Sequence, residues 1–134
     1  MEKFMNQLQN IAAPVGRILI SLIFVTSGFS KISGYTATQG YMEAMGVPGA
    51  LLPLVIAVEL LGGLAVMLGW HTRFVAFLLA GFSLLSALLF HANFGDQVQM
   101  IMFMKNISIA GGFLMIVSLG GGAYSLDNRL NKRS

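Results

Sequence analysis

Residues 51–69, LLPLVIAVELLGGLAVMLG, decide the fold class of this chain. The stretch holds one ionisable side chain, Glu59, among residues that are otherwise aliphatic, methionine, glycine or proline. A transmembrane helix needs about 20 predominantly apolar residues to cross roughly 30 Å of hydrocarbon. The stretch is therefore predicted to be a membrane-spanning helix that carries a carboxylate near its middle.

The composition of the whole chain also indicates a membrane protein. Its 134 residues are 56% hydrophobic and 10% charged, with a mean hydropathy of +0.78, whereas soluble domains carry about 25% charged residues. The chain is too apolar to be disordered. It contains no cysteine, which excludes a disulfide scaffold, a zinc ribbon and a cysteine-ligated iron–sulfur centre. The net charge of +3 is scattered between apolar blocks, so no nucleic acid partner is expected.

Three further stretches are as apolar as the first, and none alternates with the period of two expected of a transmembrane β-strand. Together they predict an all-α membrane protein, a single transmembrane domain over residues 1–134 with four helices in an antiparallel up-down bundle. The long connection from Ser33 to Ala50 is expected to form a short amphipathic helix that lies in the membrane interface or folds over the bundle, starting near Thr36 and ending at Gly46 and Pro48. A disordered loop is the alternative. The predicted spans are 11–32, 51–69, 74–90 and 100–119.

The sequence also predicts how several helices begin and end. Gly69 is expected to end the second span, and Thr72 to cap the third. Asp96, with Gln99 three residues later, has the pattern of a capping box at the start of the fourth. The glycines at 120–122 lack the lysine and the serine or threonine of a phosphate loop, and they are interpreted as a flexible end to that helix.

The distribution of basic residues favours one orientation in the membrane. In an up-down bundle of four spans, the N-terminal tail, the 70–73 connection and the C-terminal tail share one side. The positive-inside rule places that side, and both termini, in the cytoplasm; the 33–50 and 91–99 connections then face the periplasm of a bacterium. The residues counted are Lys3, Arg73, Arg129, Lys132 and Arg133 on the cytoplasmic side, against Lys31 on the other.

Four polar residues within the spans form a candidate intramembrane site. An ionisable side chain at the centre of a membrane helix costs about 2.5–3.5 kcal/mol on insertion scales and usually faces a partner or a cavity. Glu59 lies near the middle of its span, at a depth between those of Arg17 and Lys105, so an Arg17–Glu59 or a Glu59–Lys105 pair is expected, with Asn106 donating to the same network. The alternatives are a pair that only fixes helix register and two cations that snorkel to the headgroups.

The histidines and methionines do not suggest a metal site. His71 and His91 lie on either side of the third span, some 20 residues or ~30 Å apart along a helix, so they cannot share one metal or haem. His91 is a candidate for the periplasmic mouth, where it would exchange protons; a plain interfacial histidine is the alternative. Of three closely spaced methionines, only Met100 and Met104 share a helix face, and they are interpreted as packing residues rather than copper ligands.

Small residues are expected to line the contacts between helices. Gly62 and Gly63 in the second span, and Gly112 in the fourth, let neighbouring backbones approach closely in lipid. The same feature is the basis for considering a homo-oligomer.

Three segments give the chain a resemblance to the DoxX family of small four-helix bacterial inner-membrane proteins, and to its YqjF-type members in particular through YMEAMGVPG (41–49) and MFMKN (102–106). The resemblance runs from Gly16 to Arg129. It implies that the recurrent positions of the family fall on Arg17, Gly28, Lys31, Glu59, Gly62, Gly63, Lys105 and Asn106. Of these, the resemblance alone adds Gly28 and Lys31, and Lys31 joins His91 as a candidate for the periplasmic mouth. The three segments are GRILISLIFVTSGFSKISGY (16–35), VELLGGLAVMLGWHTR (58–73) and NFGDQVQMIMFMKNISIAGGFLMIVSLGGGAYSLD (93–127).

The resemblance implies a location in the bacterial inner membrane and a link to oxidoreductases, because members of the family are often given that label. The first hypothesis is therefore a subunit that binds a quinone, with donors at Lys105 and Asn106 and an internal acid at Glu59. The chain encodes no redox centre of its own, so such a role needs a redox partner protein or direct exchange between bound substrates. The second hypothesis is a scaffold or stress-response component for redox partners, and the third a small oligomeric transporter.

Overall fold

In a computed structural model, which describes residues 1–133, the chain is built from helices, and no β-strand occurs in that range. Four of the helices are long and apolar enough to cross a membrane, which confirms the predicted all-α membrane fold. A short 3₁₀ turn, Gly49–Leu51, precedes the third helix. The helices are α1 (Glu2–Ser33), α2 (Tyr35–Ala44), α3 (Leu52–Leu68), α4 (Thr72–Phe90), α5 (Gln97–Leu119) and α6 (Leu126–Arg133).

The connection between the first two spans contains the predicted short helix. This helix, α2, starts at Tyr35, directly after α1, and ends near Gly46, whose φ of 82° only glycine adopts easily. Met42 turns inward and is 3% exposed. Tyr41 stacks on Phe90 at the end of α4, with ring centroids 5.6 Å apart. The alternative of a disordered loop is therefore wrong, since α2 packs on the bundle.

Two of the predicted helix ends are confirmed and two are wrong. Gly69 ends α3 in the left-handed conformation, with a φ of 75°, and Asp96 caps α5 by accepting a hydrogen bond of 2.9 Å from the backbone N–H of Val98. Thr72, however, is the first residue of α4 and does not cap it. Gln99 does not complete a capping box but contacts His91, at 2.8 Å.

The spans pack mainly as two pairs, α1 with α3 and α4 with α5. Phe24 of α1 joins the pairs, since its ring meets those of Phe82 and Phe113 edge to face, at centroid distances of 6.3 and 5.4 Å. Phe113 and Leu79 are fully buried in the same cluster. Arg17 of α1 contacts Val66 of α3, Val25 contacts Gly63, and Lys31 contacts Glu59. The residue number thus rises along α1 while that of its partner on α3 falls, which is the order expected of antiparallel neighbours. The direction of the four spans in a membrane stays a prediction.

The bundle has two ends that differ in how they are packed. One, here called the α6 end, combines the first half of α1, the turn from α3 to α4, and residues 120–128. The other, the α2 end, combines the end of α1 with α2 and the connection from α4 to α5. The side chains of Lys132 and Arg133, which were counted for orientation, lie outside the described part of the structure.

The glycines at 120–122 follow Leu119, the last residue of α5, so the predicted end of this helix is confirmed. They form a packed turn at the α6 end, however, so the prediction that this end is flexible is wrong. Gly120 and Gly122 have positive φ angles of 79° and 89°. A Cβ atom on Gly121 would lie 2.9 Å from Oγ1 of Thr72, and one on Gly122 would lie 2.7 Å from Cβ of Ala13. Glycine is needed here because the chain turns back tightly against α1 and α4.

Candidate functional site

The carboxylate of Glu59 lies between α1 and α3 and pairs with Lys31. The ammonium Nζ of Lys31 donates to both carboxylate oxygens, at 2.9 Å to Oε1 and 3.1 Å to Oε2. The side chain of Glu59 is 6% exposed and that of Lys31 is 28% exposed. The pair therefore reaches from the bundle interior toward the α2 end, and it replaces the predicted pairs of Glu59 with Arg17 or Lys105.

Glycines set the register that brings the two charges together. A Cβ on Gly28 would lie 2.6 Å from Cγ of Leu60, and one on Gly63 would lie 2.9 Å from Cγ2 of Val25. These close approaches fix α1 against α3. Lys31 follows Gly28 by three residues and so shares its face of α1, since residues three or four apart on a helix are neighbours. Glu59 precedes Gly63 by four residues and shares its face of α3.

An apolar cavity of about 330 Å³ lies on one side of this pair and is here called the apolar chamber. It is bounded by α2, α3 and α4, and the stacked rings of Tyr41 and Phe90 help to close it. Leu51, Leu54 and Leu85 form part of its lining, and all three are exposed on the spans. A chamber of this size lies in the range of small-molecule sites, and its exposed leucines face the region that lipid occupies in a membrane.

A second cavity of about 190 Å³ lies on the other side of the pair and is here called the polar chamber. Eight of the thirteen described residues that line it are polar. Lys105 and Asn106 are among them, so the structure brings these two predicted residues near Glu59 without an ion pair between Lys105 and Glu59. The two chambers share Lys31, Glu59, Phe82, Ser86 and His91 as a common wall.

His91, predicted at the mouth of the site, ends α4 and lines both chambers. Its Nδ1 lies 2.8 Å from Oε1 of Gln99. Because a carbonyl oxygen only accepts hydrogen bonds, this contact assigns the proton of a neutral ring to Nδ1 and leaves Nε2 as an acceptor. His71 lies at the opposite end of α4, and residues 1–133 contain no group of three histidine or acidic residues that could hold a metal.

Arg17, the remaining residue of the predicted site, lies at the α6 end instead. It is 3% exposed, and its Nη1 donates to the backbone carbonyls of Val66 and Met67, at 3.1 and 2.9 Å. Its Nη2 donates to the carbonyl of Tyr124. A cation at the last carbonyls of α3 also complements the negative end of the helix dipole. Arg17 therefore holds α1, α3 and the chain after α5 together, and it is not a partner of Glu59.

The carboxylate of Asp127 in α6 caps the start of α4, although the two lie far apart in the sequence. Its Oδ1 accepts from the backbone N–H of His71, at 2.7 Å, and its Oδ2 accepts from the backbone N–H of Thr72, at 2.8 Å, and from the Thr72 hydroxyl. Partial burial opposes ionisation of the carboxyl, but these hydrogen bonds outweigh it and lower the pKa of Asp127 below its ordinary value. The contact ties α6 to the turn between α3 and α4.

The other predicted packing residues lie at contacts between spans. A Cβ on Gly62 would lie 3.0 Å from Cδ2 of Leu79, and one on Gly112 would lie 2.8 Å from Cδ1 of Ile20. Met100 and Met104 are exposed along a groove on the outer face of α5, which Lys105 also lines. Ser83 and Ser86, which line the polar chamber, were not predicted as site residues; a sequence signal for them is weak, because serine in a membrane helix is also an ordinary packing residue.

Comparisons with known proteins agree on one family. The family model described as DoxX matches residues 12–92. The chain is 54% identical to the inner membrane protein YqjF of Escherichia coli, over 96% of this chain and 99% of that protein. It is 40% identical to the inner membrane protein YphA of the same organism, over 86% of this chain and 87% of the relative. A Bacillus subtilis protein named "Putative oxidoreductase CatD" is 33% identical over 57% of each chain. No solved structure matches the chain.

Proposed function

The chain belongs to the DoxX family, and we propose that it is a membrane subunit that binds the head group of a quinone in the apolar chamber. The observation that carries the proposal is the position of the Lys31–Glu59 pair in the wall of an apolar cavity between membrane-spanning helices. One relative carries a name that refers to an oxidoreductase, which supports a redox role for this chain.

The chemistry of the chamber suits a quinone. A lysine ammonium has three N–H donors, and two of those of Lys31 are used by Glu59, so one remains for a quinone carbonyl. His91 lines the same chamber, and its Nε2 would accept a hydrogen bond from a quinol hydroxyl. Phe82 and the stacked rings of Tyr41 and Phe90 offer flat apolar surfaces for the ring. The isoprenoid tail would leave past Leu54 and Leu85 into the lipid.

A redox role also requires electrons from outside the chain. Reduction of a quinone to the quinol takes up two electrons and two protons. The electrons would come from a redox partner protein at the membrane surface, since the sequence contains neither cysteine nor a nucleotide-binding motif. This chain would bind and orient the quinone and hold the groups that exchange protons with it.

Binding of a photoreactive quinone tests the proposal directly. The purified protein in lipid nanodiscs is expected to cross-link an azido-ubiquinone at residues of the apolar chamber, in competition with unlabelled ubiquinone. Lys31→Met and Leu54→Trp should each lower the labelling at least tenfold, the first by removing the donor and the second by filling the mouth. Leu61→Trp is the matched control, because Leu61 lies two turns further along the same helix, is similarly exposed and is not part of the chamber lining.

Two results would contradict the quinone site. One is labelling that unlabelled ubiquinone does not reduce, and the other is equal loss of labelling in Leu54→Trp and Leu61→Trp. Either result would leave a scaffold for redox partners as the better hypothesis for this chain.

We also propose that the α6 end faces the cytoplasm, as the positive-inside rule predicts, so that the quinone site lies toward the periplasm. Arg73 lies against Gly120 at the α6 end, and Arg129 follows residues 120–128 within α6 itself. A reporter that is active only in the cytoplasm should be active when fused to the C-terminus, and a reporter that is active only in the periplasm should be inactive there. The reverse pattern would overturn the orientation and leave the quinone proposal standing.

A further inference from the structure

The polar chamber is lined by a residue whose buried donor has no partner among the described residues. Ser83 of α4 is 3% exposed and lines this chamber, and its Oγ has no hydrogen-bond partner within residues 1–133. Buried hydroxyls are nearly always hydrogen-bonded, to the protein or to ordered water. Water held in the chamber that Ser83 lines would supply the missing partner.

The chamber has the size and the lining that water requires. A buried water needs about 10–15 Å³ of accessible cavity volume and two to four polar partners. The chamber measures about 190 Å³, which is room for several waters. Ser27, Ser86 and Asn106 add polar groups on three different helices. The apolar chamber next to it is lined mostly by aliphatic and aromatic side chains, so the two chambers differ in the polarity of their linings as well as in position.

Charges also favour water in this chamber. Lys31 and Lys105 carry positive charge, Glu59 carries negative charge, and the imidazole of His91 lies at the same wall. The Lys31–Glu59 pair compensates one cation only. The ammonium of Lys105 has a long contact of 3.6 Å to Sδ of Met102, which is a weak acceptor. An ammonium beside so poor an acceptor in a membrane helix is stabilised by hydration.

We propose that the polar chamber is a water-filled branch of the site, open at the α2 end, through which Glu59 exchanges protons with the aqueous phase. The groups that face Glu59 along this route are Lys31 on α1, His91 at the end of α4 and Lys105 on α5. Water reaches one side of the Lys31–Glu59 pair, and the apolar chamber lies on the other. A proton taken up from this water by the carboxylate would be passed across the shared wall to a reduced quinone oxygen, and the carboxylate would take the next proton from the water. Only the transfer of the proton to the quinone oxygen rests on the proposed function.

Single cysteines test the route without any assay of activity, because the natural chain contains none. The probe is 2-sulfonatoethyl methanethiosulfonate, an anionic reagent that does not cross membranes and reacts with the thiolate. The thiolate attacks the reagent, forms a mixed disulfide and releases methanesulfinate. Thiolates form readily only where water reaches the sulfur. Ser83→Cys and Ser27→Cys, on different helices of the chamber, should react when the reagent is added on the side of the α2 end.

Ser21→Cys is the matched control. Ser21 is also buried, at 0% exposed, and its Oγ also has no hydrogen-bond partner, but it does not line either chamber. Intact-mass analysis should show Ser83→Cys and Ser27→Cys modified at least tenfold faster than Ser21→Cys. Equal rates at positions 83, 27 and 21, or modification of Ser83→Cys only from the side of the α6 end, would overturn the proposal. Because Ser27→Cys lies on another helix, misfolding of one variant does not remove the test.

A second measurement separates this inference from the quinone proposal. Ser86 lies in the wall between the two chambers, whereas Ser83 lines the polar chamber. Added ubiquinone should slow the modification of Ser86→Cys at least threefold and leave that of Ser83→Cys unchanged. If ubiquinone protects neither position while Ser83→Cys still reacts, the quinone proposal fails and the hydrated chamber stands. If Ser83→Cys does not react although ubiquinone protects Ser86→Cys, the hydrated chamber fails and the quinone site stands.

Discussion

The two ends of the bundle both bury charge, and they use it in different ways. At the α6 end, Arg17 and Asp127 direct their charges at helix ends, the arginine at the last carbonyls of α3 and the carboxylate at the first N–H groups of α4. Glycines bring the backbones into contact around them. At the α2 end, Lys31 and Glu59 pair with each other between two cavities.

The difference shows which buried charges belong to structure and which to a site. A charge that satisfies backbone groups at a helix end is needed to hold the fold, because each group left unpaired in the interior costs about 1–3 kcal/mol. A charge pair beside a cavity loses its hydration in the same way but stabilises the fold less than a charge at a helix end. Its side chains remain available to a ligand. Depth in the membrane alone does not distinguish the two cases, whereas the identity of the partner does.

The largest expected effect follows loss of Arg17. Arg17→Leu removes hydrogen bonds to three backbone carbonyls, although that of Val66 keeps the N–H of Gly69 as a donor. The variant should lower the free energy of unfolding by about 4 kcal/mol, measured by reversible denaturation in mixed micelles. Lys105→Leu, which also removes a cation from a span, should cost about 1 kcal/mol or less, because Lys105 bonds no carbonyl. Similar losses in the two variants would remove the distinction between the two ends.

The next effect concerns the Lys31–Glu59 pair. Lys31→Met should lower the free energy of unfolding by about 2 kcal/mol, because it leaves the buried carboxylate without its cation. Replacing both partners, as in Lys31→Met with Glu59→Leu, should recover at least half of that loss, since no buried charge then remains unpaired. The same denaturation assay applies. A double variant that is less stable than Lys31→Met would show that the pair is a structural element like Arg17.

Added volume should be tolerated at one end and not at the other. Gly121→Ala places a methyl group 2.9 Å from Oγ1 of Thr72 and should cost about 1.5 kcal/mol, a typical penalty for overpacking. Ser86→Thr adds one methyl group where the two chambers meet and should change the free energy of unfolding by no more than about 0.5 kcal/mol. Equal penalties would mean that the chambers at the α2 end are not open space.

The smallest effect is expected at the cap of α4. Asp127→Ala should lower the free energy of unfolding by about 1 kcal/mol at neutral pH, the usual cost of removing a capping side chain. Because the folded state lowers the pKa of Asp127 from an ordinary value of 3.8, its contribution is complete above that value and is lost as the pH falls through the lowered pKa. The advantage of the natural chain over the variant should therefore shrink in acid. An advantage that grows as the pH falls would contradict the assigned cap.

Several features of the site were within reach of the sequence. Lys31 follows Gly28 by three residues and Glu59 precedes Gly63 by four, so each charge shares a helix face with a glycine that packs α1 against α3. Applied to both helices, this spacing predicts that Lys31 and Glu59 face each other. The depth of each residue in the membrane predicted instead that Glu59 pairs with Arg17 or Lys105. Depth gives only the position of a side chain along the membrane normal, and it does not say which helices are neighbours or how they are rotated.

The sequence by itself determined the membrane class, the four apolar helices, the short helix after the first span and the caps at Gly69 and Asp96, because hydropathy and local backbone preferences act within a few residues. Only the tertiary structure decided that Arg17 bonds carbonyls of α3, that Asp127 caps a helix 55 residues away, and that Lys31 and Glu59 lie between an apolar and a polar chamber. Each of these depends on the lateral order and rotation of packed helices. Those are fixed by close contacts at glycines and aromatic rings between segments distant in the chain, which no local pattern specifies.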